Sequence, residues 1–357
     1  PNEFTRRRRA HCGWTRRSRC CLCLAAGRGG ICAAHRMGEG KGQVRLGHYK
    51  SRNQRLIYNM GRHLKVRHVT EYHYSEPVSF GEHRMMFRPR DSHSLRLVGT
   101  QLSITPRPKR ISWIYDVFGN SVAFAEFGSV RSDALTFVSE VEVLHYESPH
   151  FTDLLLPSAE RLPIQYHPTE IPDLAAAIEP HCQDPEGVVS SWANEIAIQA
   201  QYNSLGIMTE MMDVIGRSLV YQTRYAAGTQ DPTETLRRGS GTCRDFALLM
   251  MEGLRSYGLA ARFVSGYLYK ATRVRRRGFG SSHAWVQVYL PGCGWVEMDP
   301  TNSIMGNRDL IRVAVARDHR HACPLIGTFI GASSAYKGMT VTVDVTDLGR
   351  ATVDDAK

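Results

Sequence analysis

The chain has 357 residues, 42% of them hydrophobic and 22% charged, a composition ordinary for a globular protein and a length that suits two domains. No run of about 18 apolar residues occurs, so no membrane-spanning helix is expected. The net charge of +11 is uneven: residues 1–59 hold 14 Lys and Arg against two acids, whereas 60–357 hold 31 against 32. The body is therefore nearly neutral, which removes the case for a nucleic-acid groove in it.

Residues 1–59 show neither helical nor strand periodicity. Met60 opens the first strongly patterned stretch and is the expected native start, with Met37 second; 1–59 is then a non-native or disordered Arg- and Cys-rich extension. Two rival readings are a twin-arginine export signal, with Arg16 and Arg17 ahead of the apolar patch 20–26, and a zinc knuckle from His11, Cys20, Cys23, Cys32 and His35. Five of the nine cysteines lie in this extension. The other four (Cys182, Cys243, Cys293 and Cys323) are widely spaced, which indicates neither a disulfide framework nor a zinc site and suits a reducing cytoplasm.

From 64 to 145 the period is two. Leu64, Val66, His68, Thr70 and Tyr72 alternate with Lys65, Arg67, Val69 and Glu71, and Leu135, Phe137, Ser139, Val141 and Val143 repeat the pattern. Phe118-Gly119-Asn120 between two apolar runs signals a hairpin. A β-sandwich is expected over 60–148. Residues 149–185 hold seven of the 16 prolines and read as a linker. A second domain of mixed helices and strands is expected over 186–347, with 348–357 as a tail. Its helices fall near 187–200 and 207–219.

Thr242 is a good N-cap, and Phe246, Leu249, Met250, Gly253, Leu254 and Tyr257 then recur at three and four as a buried helix face. Strands are expected at 259–269, 282–290, 295–299, 311–315 and 339–345. The loop 270–281 is basic, through Arg273, Arg275, Arg276 and Arg277; it reads as a solvated loop, with a lid selecting acidic substrates as the alternative.

Cys243 takes the first helical position after the cap, where unpaired N–H groups and the helix dipole favour a thiolate. A thiolate needs a base, and the base an orienter. His283 opens the strand 282–290, and Asp299 ends the strand that returns from it. Side chains alternate, so register decides whether they meet. If Leu290 paired with Trp295 across a four-residue loop, Asp299 would face away from His283. A three- or five-residue loop, or a bulge, puts both on one face as a diagonal pair. The sequence therefore predicts an odd-length loop or a bulge; otherwise Asp299 is only a turn-starting Asp-Pro.

The stretches GTCRDFALLM, GLAARFVSGYL and SSHAWVQVYLPGCGWVEMDPTN resemble the bacterial transglutaminase-like superfamily, in detail over about 216–302 and more loosely over 60–145. The resemblance implies an α+β protein: an N-terminal β-sandwich and a papain-like core in which the Cys-bearing helix packs on an antiparallel sheet. It implies Cys243 as nucleophile, His283 as base and Asp299 as orienter. It further implies acyl transfer on amide or peptide bonds, as a cysteine amidase or peptidase, with a peptide or protein amide as substrate. A protein-glutamine cross-linker and a non-catalytic interaction module are the alternatives. Animal transglutaminases use a tryptophan upstream of the cysteine as oxyanion donor, but none lies between Trp192 and Trp285. Gln222 and Tyr221 are the candidates here, and the departure favours hydrolysis. Asp245 reads as a helix N-terminal charge, and Trp285 and Trp295 as core. No Asp-rich calcium loop appears, and no cofactor, metal, nucleic-acid or membrane partner is expected.

Overall fold

The computed structural model describes residues 60–147, 151–222, 228–269, 277 and 280–352. The extension 1–59, with its export-signal and zinc-knuckle readings, lies outside them, as do Arg273, Arg275 and Arg276. In chain order come β1 (Met60–Met85), β2 (Leu95–Thr105), β3 (Arg110–Tyr115), β4 (Ser121–Glu126) and β5 (Arg131–His145). Next are α1 (Ile171–Ile178), α2 (Val188–Gln199), α3 (Ser204–Ser218), β6 (Val220–Tyr221), α4 (Pro232–Arg238), β7 (Ser240–Gly241) and α5 (Cys243–Arg255). The chain continues through β8 (Ala261–Leu268), β9 (His283–Leu290), β10 (Gly294–Asp299), β11 (Ile304–Met305), β12 (Leu310–Ala316), β13 (Leu325–Ile330) and β14 (Tyr336–Thr352). The protein is α+β, with mostly antiparallel strands and a few helices.

β1 organises the first sheet. Its first half pairs with β5 and β14, from Arg62↔His145 and Arg62↔Arg350 onward, and its second half with β4 and β13. The alternation read from sequence is the one that folds: Leu64, Val66, His68 and Thr70 are buried, as are Leu135, Phe137, Ser139, Val141 and Val143. Phe80 and Met85 of one half share a core with Phe137 and Ile104 of the other, so the two halves close over one another. The β3–β4 hairpin forms where expected. Gly119 takes φ +73°, and the Asp116 carboxylate accepts the N–H groups of Phe118 and Asn120 at 2.9 and 2.8 Å.

The boundary expected at 347/348 falls inside β14, and β13 and β14 both pair with β1. The first sheet is thus completed by strands from the C-terminal end of the chain, which the local pattern of 325–352 could not disclose. The linker reading of 149–185 is also corrected. Residues 171–178 form α1, with Pro172 in its first turn where a missing N–H costs nothing, and Leu174 and Ala177 are buried. Prolines mark starts of elements in this segment rather than an unstructured tether.

The second sheet runs β11-β10-β9-β8-β12, all antiparallel. One face carries α5, which is buried along its length, with Phe246, Leu249, Met250 and Leu254 fully enclosed against Ala284, Val286, Val288 and Leu290 of β9. Each such side chain contributes roughly 1.5–3 kcal/mol by burial. The other face meets the first sheet: Leu64, Val66, Val141 and Val143 pack on Tyr267, Ile311 and Val313. Asn120 stitches the two together. Its amide takes both the C=O (2.7 Å) and the N–H (2.9 Å) of Val315 on the edge strand β12.

A buried ion pair anchors α5 to its surroundings. Arg255 donates to Glu252 at 2.8 Å and to the carbonyls of Ala177, Ala261 and Arg317. Glu252 also accepts the N–H groups of His181 and Cys182 at 2.7 and 2.8 Å, fastening the proline-rich segment to the helix. Removing one partner strands the other charge in the core, so Glu252→Ala is expected to cost about 3–5 kcal/mol in urea unfolding. Glu234→Ala, which breaks the exposed Glu234–Arg238 pair, is expected to cost below about 1 kcal/mol in the same assay.

Candidate active site

Cys243 is the first residue of α5 and is buried at the point where the helix dipole is positive. The cap that sets this position is tighter than a simple N-terminal charge. Asp245 is fully buried; its Oδ2 accepts the Thr242 N–H and hydroxyl at 2.8 and 2.9 Å, and its Oδ1 accepts the Gln230 N–H at 2.6 Å. The reading of Asp245 as a helix-end charge is thus enlarged: it ties the incoming loop to the helix start and fixes where the thiol emerges. β6 and β7 add a second tie, pairing Tyr221 with Gly241 in parallel.

His283 opens β9, and Asp299 closes β10. Leu290 pairs with Gly294, Tyr289 with Trp295 and Val286 with Met298, so the turn has the three residues Pro291, Gly292 and Cys293. This is the odd-length loop the sequence required. Carried one step further, the register sets Asp299 opposite Trp285, on the face of His283 and one diagonal step away. His283 Nε2 and Asp299 Oδ2 lie 2.8 Å apart, with both side chains buried. Asp299 also starts its turn, Oδ1 accepting the Thr301 N–H at 2.9 Å, so the Asp-Pro reading and the orienter geometry hold together. The other ring nitrogen, Nδ1, is buried with no ordinary hydrogen-bond partner among the described residues. The Cys243 thiol is a neighbour of this ring: the imidazole and the Ala284 N–H both act to stabilise its thiolate.

The charges follow from this packing. Burial opposes a thiolate at Cys243, but the hydrogen bond and charge of His283, the Ala284 N–H and Arg244 outweigh it and hold the thiol below its ordinary pKa. Burial likewise opposes the imidazolium, yet Asp299 and Cys243 push His283 up to about 10. Burial would raise Asp299; His283, Asn302 and the Thr301 N–H bring it down instead. Burial drives Cys293 and Cys182 the opposite way, Cys293 upward and Cys182 up to about 12 with help from Glu252. Cys182, Cys243, Cys293 and Cys323 are all free thiols.

Of the two oxyanion candidates, Tyr221 is brought beside the thiol: burial, and then the neighbouring Cys243, push its hydroxyl above the ordinary tyrosine pKa. Gln222 is not: its side chain is exposed, and its backbone N–H is used on Gly241 at 2.9 Å. Several supporting residues escaped the sequence reading. Asn302 donates to Asp299 at 2.9 Å and accepts the Arg277 N–H at 2.8 Å, which joins the end of the basic loop to the carboxylate. Trp285 stacks on His283 with centroids 5.9 Å apart, while its indole donates to the buried Glu297. Gly266 pairs with His283, and a Cβ there would come within 2.6 Å of the Trp285 ring. Among the described residues no group of three metal-ligating side chains gathers, and no helix is long and apolar enough to cross a membrane.

Residues 64–144 match the bacterial transglutaminase-like N-terminal region, and residues 190–300 match the transglutaminase-like superfamily. An uncharacterized protein of Mycobacterium tuberculosis (strain H37Rv) is 27% identical over 308 residues, which cover 79% of this chain and 91% of that protein. An uncharacterized protein of Mycobacterium leprae is 26% identical, covering 80% and 99%. The fold resembles the crystal structure of a candidate cysteine protease from Cytophaga hutchinsonii with a TM-score of 0.60 and 17% identity, covering 81% of this chain and 91% of that one. The chain belongs to the transglutaminase-like superfamily, its core at 190–300 following a bacterial transglutaminase-like N-terminal region.

Proposed function

We propose that this protein is a thiol-dependent acyl-transfer enzyme that hydrolyses amide or peptide bonds. The observation that carries the reading is the line Cys243–His283–Asp299: one ring nitrogen is held by a buried carboxylate 2.8 Å away, the other is buried without an ordinary hydrogen-bond partner among the described residues, and a buried thiol at a helix start interacts with the same ring. The Cys243 thiolate attacks the carbonyl carbon and forms a C–S bond, and the carbonyl oxygen becomes an oxyanion. The Cys243 backbone N–H, in a first helical turn without intrahelical partners, and the Tyr221 hydroxyl are the donors for that charge. The C–N bond then breaks as His283 Nδ1 gives its proton to the leaving amine. Water attacks the resulting thioester, returns a proton to His283 and releases the acid and the thiolate. Asp299 keeps its charge throughout and stabilises the imidazolium.

A panel of peptide p-nitroanilides, read by p-nitroaniline release, tests this. Cys243→Ala is expected to abolish release, and His283→Ala to lower it about 10²–10⁴-fold. Asp299→Asn is expected to lower it by a similar factor, about 10²–10⁴, because an amide cannot hold the imidazolium. A wild-type acyl adduct on Cys243 by intact mass is the expected intermediate. Release without Cys243, or none across the panel, would sink the proposal. Adding dansylcadaverine separates the alternatives: hydrolysis continues in its presence, whereas a cross-linker would capture the amine.

The pH profile follows from the two shifts. A lowered thiol pKa keeps Cys243 ionised below the ordinary thiol range, so activity is lost only as acid protonates it. A raised imidazole pKa keeps His283 protonated until about 10, so activity falls as pH passes that value. A broad plateau through neutrality is expected in kcat/KM. A single rise near the ordinary thiol pKa of about 8.5, with no alkaline fall, would contradict the ion pair.

A further inference from the structure

Among the described strands, most sheet edges are guarded, in different ways. β2 is broken by a register shift between Leu97 and Gly99, and the β1–β13 ladder by one between Phe80 and His83. β14 carries Lys337, Asp344, Asp347 and Arg350 with glycines at 338 and 349. β11 is only two residues long, and Asn120 covers Val315 on β12. These are the devices that keep edges from pairing. β3 has none of them after Arg110. It pairs only with β4, without a bulge, and reads Arg-Ile-Ser-Trp-Ile-Tyr. Trp113 is 45% exposed, Ile114 50%, Tyr115 74% and Val117, just beyond, 93%.

The ladder fixes which backbone groups this edge offers. The Asp116 N–H donates to Asn120, and the pairing is regular from Tyr115↔Ser121 to Arg110↔Glu126. Alternation then turns Arg110, Ser112 and Ile114 toward β4, and the N–H and C=O groups of Ile111, Trp113 and Tyr115 outward. We propose that β3 is a self-association edge, pairing antiparallel with β3 of a second copy about a two-fold axis at Trp113. Outward groups can bond only outward groups, so the residue numbers of each pair sum to an even number. Centring on Trp113 sets Ile111 against Tyr115, Trp113 against itself and Arg110 against Asp116. Arg110 of each strand meets Asp116 of the other, and the apolar residues meet in the middle. A strongly basic occupant is disfavoured, because the groove beside β3 is lined by Arg107, Lys109 and Arg110.

Sedimentation velocity of the full chain at about 50 µM, a concentration suited to the small interface of one strand pair, should show a species of twice the 40.1 kDa chain mass. Trp113→Lys sets two ammonium groups face to face on the axis and should return the protein to monomer. Its thermal unfolding should be unchanged, since the Trp113 backbone groups do not serve the β4 ladder. Hydrogen exchange on the wild type reads the same edge without substitution: amides of 111, 113 and 115 should become protected as concentration rises. A monomer at that concentration, a dimer undiminished in Trp113→Lys, or fast exchange at these amides within the dimer would each overturn the proposal.

Discussion

The hydrogen bond between His283 and Asp299 depends on counting. In an antiparallel hairpin each added or removed turn residue changes the face on which a downstream side chain appears. The turn 291–293 has three residues, and so Asp299 arrives on the face of His283. A fourth would send the carboxylate to the face that packs on α5, where a bare charge is costly. The imidazole would then lack its buried carboxylate partner, and the proposed catalytic line would be broken at that step.

The scaffold spends buried charge to keep the constellation in place. Asp245 clamps Gln230 and Thr242 where α5 begins, Glu252 and Arg255 bind the far end of the same helix to the proline-rich segment, and Glu297 takes the indole of Trp285 from beneath His283. Each is satisfied by several donors, the condition under which a buried carboxylate is tolerable. Asn302 extends the pattern outward, joining Asp299 to the backbone of Arg277. Arg277 is thereby joined to the carboxylate through one side chain.

Much of the site was legible in sequence because its determinants are local. A cap followed by a three-four repeat announces α5, and alternation announces β1, β5, β9 and the face they bury. The parity argument turned an ambiguity about Asp299 into a requirement on the turn, and the turn meets it. What was missed is non-local. The pairing of β13 and β14 with β1 joins residues 240 or more positions apart, as in Met85↔Leu325 and Val66↔Val345, and a Thr- and Gly-rich strand carries no mark of its partner. The prolines of 149–185 suggested a tether because proline breaks elements; here it also begins one. Asp245 reads in sequence as a helix N-terminal charge alone because nothing in the local pattern says that Gln230 folds back onto it. Tyr221 and Gln222 were indistinguishable as neighbours in the chain, and only the pairing of Tyr221 with Gly241 decides which faces the thiol.

The central claim is that Cys243 and His283 form a thiolate–imidazolium pair, and thiol chemistry reads it directly. Iodoacetamide alkylation of the full chain, followed by peptide mapping, compares Cys243 with Cys182, Cys293 and Cys323 in one reaction. At about pH 6 an ordinary thiol is almost wholly protonated and slow. The account predicts that Cys243 is alkylated well ahead of the other three at that pH, and that His283→Ala removes the advantage. Cys243 reacting no faster than Cys293, or keeping its lead without His283, would contradict it.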